Sequence, residues 1–73
     1  MWVLTKMGSI MKDHLENLFI FSLDGLTKMR PWERTWLDLL YEIDETGKLP
    51  SREDLGRFHM ADELVSGGYI EEV

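Results

Sequence analysis

Residues 31–47, PWERTWLDLLYEIDETG, decide the fold that the sequence predicts. Pro31 suits the first turn of a helix, where its missing N–H costs nothing, and Glu33 complements the helix dipole there. Five apolar side chains share one face at helical spacing: Trp32, Trp36, Leu39, Leu40 and Ile43. Gly47 can take the left-handed conformation that ends many helices. The stretch therefore predicts a core helix from residue 31 to about residue 45.

The segment before Pro31 allows two interpretations. Apolar residues at helical spacing fit a helix over roughly residues 5–18, but Gly8 and Ser9 interrupt it. We favour a shorter helix that Ser9 caps and that starts at Ile10, with residues 2–5 as a short strand. Residues 19–23 then form an apolar tail or strand, and residues 24 and 25, Asp-Gly, form a turn.

The last third of the chain predicts more helix and a closing strand. Residues 51–54, SRED, have the form of a Ser cap followed by an acidic residue, so a third helix should begin at residue 51. Leu55 and Phe58 should face inward from it, and residues 60–66 should form one more helical stretch. The glycines at positions 67 and 68 must end it, and residues 69–73 are a short strand. The fold class is mainly α with a small β-sheet, in one domain over residues 1–73.

Composition and charge limit the kind of partner. The chain has 73 residues, no cysteine and a net charge of −6, and most of its acidic residues lie after residue 30. Nucleic-acid binding relies on Lys and Arg, so this acidic half disfavours it and favours a protein partner. No apolar run is long enough to span a membrane, and no leader pattern is recognisable. We expect a cytoplasmic monomer, in the host cytoplasm if the protein is viral.

No group of residues indicates catalysis. The histidines, His14 and His59, lie on separate predicted helices, and no phosphate-binding loop, serine-hydrolase or zinc-protease motif occurs. We expect His14 at the surface and His59 as a hydrogen-bonded structural residue, with the methionines mainly filling the core. Acidic pairs at residues 44–45 and 53–54 fit solvated helix ends better than a metal site. The sequence predicts no enzyme, cofactor or metal.

One flank of the 31–45 helix is the candidate partner-binding site. Leu37 and Tyr41 are one turn apart and rotated by about 100 to 140° from Trp36, so they fit the core stripe poorly. Arg34, Asp38 and Glu45 lie nearby, which gives an apolar pair with a charged rim, as in protein interfaces. In the alternative interpretation, the N-terminal segment covers this flank.

The order from residue 31 through ETGKLPSREDL to ELVSGGYIEEV resembles a truncated winged helix-turn-helix, as in the DNA-binding domain of the bacterial SOS repressor. The resemblance covers roughly residues 31–73 and implies a scaffold with a wing strand. About ten residues of the turn and recognition helix are missing between Phe58 and Glu63. What remains there offers no Arg, Lys, Asn or Gln to read base edges, so the resemblance does not extend to the DNA-contacting residues.

The length, acidity and lack of catalytic groups also resemble the small proteins with which bacteriophages bind and inhibit the host RNA polymerase, a class that includes a very short protein of a Xanthomonas phage. This resemblance implies a transcription inhibitor, and sometimes an antiterminator, that docks directly on the polymerase. A winged-helix DNA-binding repressor is the alternative function. An acidic decoy that mimics DNA is a further one.

Overall fold

The computed structural model describes all 73 residues as three helices and two short strands. The elements follow in the order β1 (Trp2–Leu4), α1 (Lys6–Leu23), α2 (Pro31–Thr46), α3 (Leu55–Ser66) and β2 (Ile70–Glu72). The two strands pair antiparallel in the register Trp2↔Glu72, Val3↔Glu71, Leu4↔Ile70. The predicted class, mainly α with a small sheet, is confirmed.

Helix α2 is the centre of the fold and its bounds are within one residue of those predicted, but Trp32, predicted on its core face, is 47% exposed. The Glu33 carboxylate accepts a hydrogen bond from the Arg30 N–H at 2.9 Å, which caps the first turn. Gly47 has a φ of 70°, and its N–H donates to the Ile43 carbonyl oxygen at 2.8 Å. The Gly47 carbonyl in turn accepts from the Trp2 N–H at 2.8 Å, which fixes β1 against the end of α2.

Helix α1 is longer at both ends than the sequence predicted. The start at Ile10 was wrong, because Thr5 is the cap: its hydroxyl accepts from the Gly8 N–H at 3.1 Å. Gly8 lies inside the helix where α1 approaches the Tyr69 backbone too closely for any side chain. Residues 19–23 were expected to form an apolar tail or a strand, and the strand was wrong, since α1 continues to Leu23.

Helix α3 begins four residues later than predicted and runs unbroken to Ser66. Asp54 caps it by accepting from the Arg57 N–H at 3.4 Å, while the Ser51 hydroxyl accepts from the Glu53 N–H in the preceding turn. The inward placement of Leu55 was wrong, and so was the structural role expected of His59, because both residues are exposed.

The core forms around α2, which contacts α1, α3 and β1. Four of its side chains belong to the buried cluster, and α1, α3 and β2 each add one more. The buried cluster comprises Leu15, Leu37, Leu39, Leu40, Ile43, Leu64 and Ile70. Trp36 and the methionines at positions 11, 29 and 60 pack against this cluster, whereas Trp32 and Met7 remain about half exposed. None of the helices combines the length and the apolar character needed to cross a membrane.

Candidate protein-binding site

The flank that the sequence singled out is one wall of an open cleft between α1 and α2. The cleft has a volume of about 360 Å³ and is lined by Glu16, Phe19, Ile20, Arg34, Leu37, Asp38 and Tyr41, which together define the α1–α2 cleft. Four of the five predicted partner-binding residues therefore meet there. Glu45, the fifth, is exposed on α2 one turn beyond Tyr41 and does not line the cleft.

Leu37 corrects the sequence-based interpretation of this flank. Its exposed fraction is 4%, so it belongs to the core and does not project outward as an anchor. The reason is that α1 packs against this side of α2, which widens the apolar arc of α2 beyond the stripe centred on Trp36. The N-terminal segment thus covers Leu37, and the side chain forms the floor of the cleft.

The apolar walls come from α1 on one side and from Tyr41 on the other. Ile20 is 49% exposed and Tyr41 is 37% exposed, so both present apolar surface to solvent. Phe19 is half-buried, and the Arg34 guanidinium lies 4.3 Å above the centre of its ring. An apolar side chain of a partner could contact Ile20 and Tyr41 while resting on Leu37.

Polar contacts fasten the two helices together at one end of the cleft. The Tyr41 hydroxyl donates to the Glu16 carboxylate, and Lys12 forms an ion pair of 3.1 Å with Asp44. The Lys12 ammonium also lies 4.4 Å from the centre of the Tyr41 ring. The hydrogen bond to Glu16 raises the pKa of Tyr41, and burial and the negative charge of Glu16 add to the effect. The hydrogen bond to Asp44 raises the pKa of Lys12.

The charge around the cleft is negative because the nearby cations already have partners. Lys12 is paired with Asp44, and Arg34 is paired with Asp38 at 3.2 Å. No salt bridge involves Glu16, Asp13 or Glu45. Both Glu16 and Asp13 are close enough to raise the pKa of Tyr41 through their charge.

A second apolar surface was missed in the sequence. An open groove of about 320 Å³ lies between α1 and the residue before β2, and Met7, Ile10, Met11, His14 and Tyr69 line it; we call it the α1–Tyr69 groove. It forms because Gly8 lets α1 approach Tyr69, a tertiary contact that no local pattern announces. His14 is exposed, as expected, at the edge of this groove.

Neither chemistry nor similarity assigns a function directly. No group of three or more His, Asp or Glu side chains is arranged to hold a metal ion. No protein-family model, curated protein or solved structure matches the chain. The α1–α2 cleft is therefore a candidate binding site on its shape and charge alone.

Proposed function

We propose that this chain is a small acidic protein-binding regulator that docks on bacterial RNA polymerase through the α1–α2 cleft and inhibits promoter-dependent transcription. The observation that carries the proposal is the composition of the cleft. An apolar floor and walls formed by Leu37, Ile20 and Tyr41 have a charged rim, which is the arrangement of protein interfaces. Central apolar contacts of this kind supply most of the binding energy in such interfaces.

The choice of polymerase as the partner rests on the sequence resemblance to small acidic phage proteins that bind this enzyme. The charge of the chain, −6, supports a basic protein surface as the target. It also disfavours the alternative, a DNA-binding repressor. If the resemblance to a winged helix holds, the DNA-reading residues would lie on α3, where Asp62 and Glu63 are both exposed and would repel phosphates.

In vitro transcription with purified bacterial RNA polymerase tests the proposal with a matched pair of variants. Ile20→Lys places a charge in the α1–α2 cleft, and Ile10→Lys makes the same change on the same helix in the α1–Tyr69 groove. Ile20 and Ile10 are 49% and 60% exposed, so both variants should stay folded, which circular dichroism and thermal melting verify.

We expect Ile20→Lys to raise the concentration for half-maximal inhibition about thirtyfold, since losing a central apolar contact costs about 2 kcal/mol of binding. Ile10→Lys should change it by no more than about twofold. The opposite pattern would transfer the interface to the α1–Tyr69 groove. A wild-type protein that leaves bacterial polymerases fully active would refute the polymerase as the partner. Inhibition that arises from tight, salt-dependent binding to promoter DNA alone would favour the repressor instead.

A further inference from the structure

We infer that the α1–α2 cleft binds a basic protein segment in which one aliphatic or aromatic side chain is flanked by lysine or arginine residues. This inference rests on the proposed function, because it specifies the partner chemistry of the same site.

The floor and walls of the cleft select an apolar side chain. Leu37 is held in place by the core, and the exposed faces of Ile20 and Tyr41 stand on either side of it. The cleft is thus formed before a partner arrives, so little side-chain ordering is needed on binding. A polar side chain in this position would lose its hydration without gaining a hydrogen bond from the floor.

The rim selects positive charge on both sides of that apolar side chain. Glu16 lines the cleft on the α1 side, with Asp13 nearby, and Glu45 lies beyond Tyr41 on α2. None of these three carboxylates has a salt bridge within the chain. The one cation of the lining, Arg34, is already paired with Asp38 and stacked on Phe19, so it leaves the rim negative.

The same charges disfavour a second copy of the chain as the occupant. Two clefts facing each other would bring together the carboxylates of both copies that lack a salt bridge, and each copy has a net charge of −6. Like charges across an interface suppress a pairing, whereas opposite charges speed association and select the partner. The positive charges of a basic segment would reduce the repulsion among the rim carboxylates, whereas a second copy would increase it.

Three short peptides test the inference without any polymerase present. The first has the sequence Lys-Lys-Leu-Lys-Lys with blocked ends, the second replaces every lysine by glutamate, and the third replaces the leucine by serine. Each is titrated into isotope-labelled protein, and backbone amide NMR shifts give both the location and the affinity. We expect the first peptide to shift Ile20, Leu37 and Tyr41, to bind at least about tenfold more tightly than the other two, and to weaken as salt is added.

Two variants with the same change of charge separate the rim from the net charge. Glu45→Gln should weaken the first peptide by about threefold or more, whereas Glu72→Gln, which removes an exposed carboxylate on β2, should leave its affinity unchanged. Equal binding of the lysine and glutamate peptides would overturn the inference, as would shifts confined to the α1–Tyr69 groove. Equal weakening by both variants would also overturn it, since it would show a response to net charge alone.

The two proposals can fail independently. A wild-type protein that inhibits transcription but does not prefer the basic peptide contradicts the partner chemistry alone. A wild-type protein that prefers the basic peptide at the cleft but leaves the polymerase active contradicts only the choice of polymerase as the partner. Self-association in the NMR sample that responds to Ile20→Lys would assign the cleft to a second copy and overturn the basic partner.

Discussion

Two glycine-to-alanine substitutions in helices should change stability in opposite directions, because the two glycines have different surroundings. Gly56 lies in α3 with no atom within 4 Å of where a Cβ would be placed. Gly8 lies in α1, and a Cβ there would come within 2.9 Å of the Tyr69 carbonyl carbon and nearer still to its oxygen, whereas ordinary contact begins at 3.4 Å. Both atoms belong to the backbone of Tyr69, so the clash is relieved only if α1 and the residue before β2 move apart.

The balance between helix propensity and overpacking decides whether each substitution raises or lowers the free energy of unfolding. Alanine is favoured over glycine in a helix by up to about 1 kcal/mol, so Gly56→Ala should raise the free energy of unfolding by about 0.5 to 1 kcal/mol. At Gly8 the gain in helix propensity is outweighed by the cost of overpacking. That cost is typically about 1 to 3 kcal/mol, and it is at the upper end of this range when the backbone must move. Gly8→Ala should therefore lower the free energy of unfolding by about 2 kcal/mol, which corresponds to a Tm lower by roughly 8 to 16 °C in a domain of this size.

Thermal melting followed by circular dichroism checks both variants, and urea unfolding gives the free energies directly. The Gly56→Ala protein should melt a few degrees above the parent. If Gly8→Ala is as stable as the parent or more so, α1 does not approach Tyr69 in the way described. The α1–Tyr69 groove and the start of α1 at Lys6 would then both be wrong.

Two further predictions concern the α1–α2 cleft. Leu37→Ala should lower the free energy of unfolding by about 2 to 5 kcal/mol in urea titrations, because Leu37 is a core residue, and a variant that unfolds like the parent would show that Leu37 is not buried. The pKa of the Tyr41 phenol should lie above the ordinary value of about 10 and fall toward it in Glu16→Gln, as followed by NMR of the Tyr41 ring. Because the pKa of Tyr41 is raised in the folded state, the contribution of Tyr41 to stability is complete below about pH 10 and is lost as the pH rises through the folded-state pKa. An unchanged titration of Tyr41 in Glu16→Gln would contradict the hydrogen bond between the two residues.

Helix α2 was predictable because its signals are local. Pro31 and Glu33 mark its start and Gly47 marks its end within a few residues of chain. The start of α1 was not, since Gly8 and Ser9 resemble a boundary when only helix propensity is considered. In the fold, Gly8 is required by the close approach of Tyr69, and this tertiary contact outweighs the propensity of glycine. Thr5 and Ser9 are both residue types that cap helices, and the cap of α1 is Thr5.

The α2 side of the candidate site was predictable because its signals are local, whereas the α1 side was not. Periodicity alone placed Arg34, Asp38 and Tyr41 on one flank of α2, and the structure brings them together in the cleft. The α1 wall could not be predicted, because it depends on which side of α2 the first helix packs. That packing also explains Leu37, since a helix with neighbours on two sides buries a wider arc than a single stripe.

Direct binding of the labelled chain to purified bacterial RNA polymerase tests the central claim, that the α1–α2 cleft is the docking site. Fluorescence anisotropy of the wild type, Ile20→Lys and Ile10→Lys at one fixed salt concentration gives the three dissociation constants. We expect saturable binding that Ile20→Lys weakens about thirtyfold and Ile10→Lys weakens by no more than about twofold. No binding by the wild type, or equal loss in both folded variants, would contradict it.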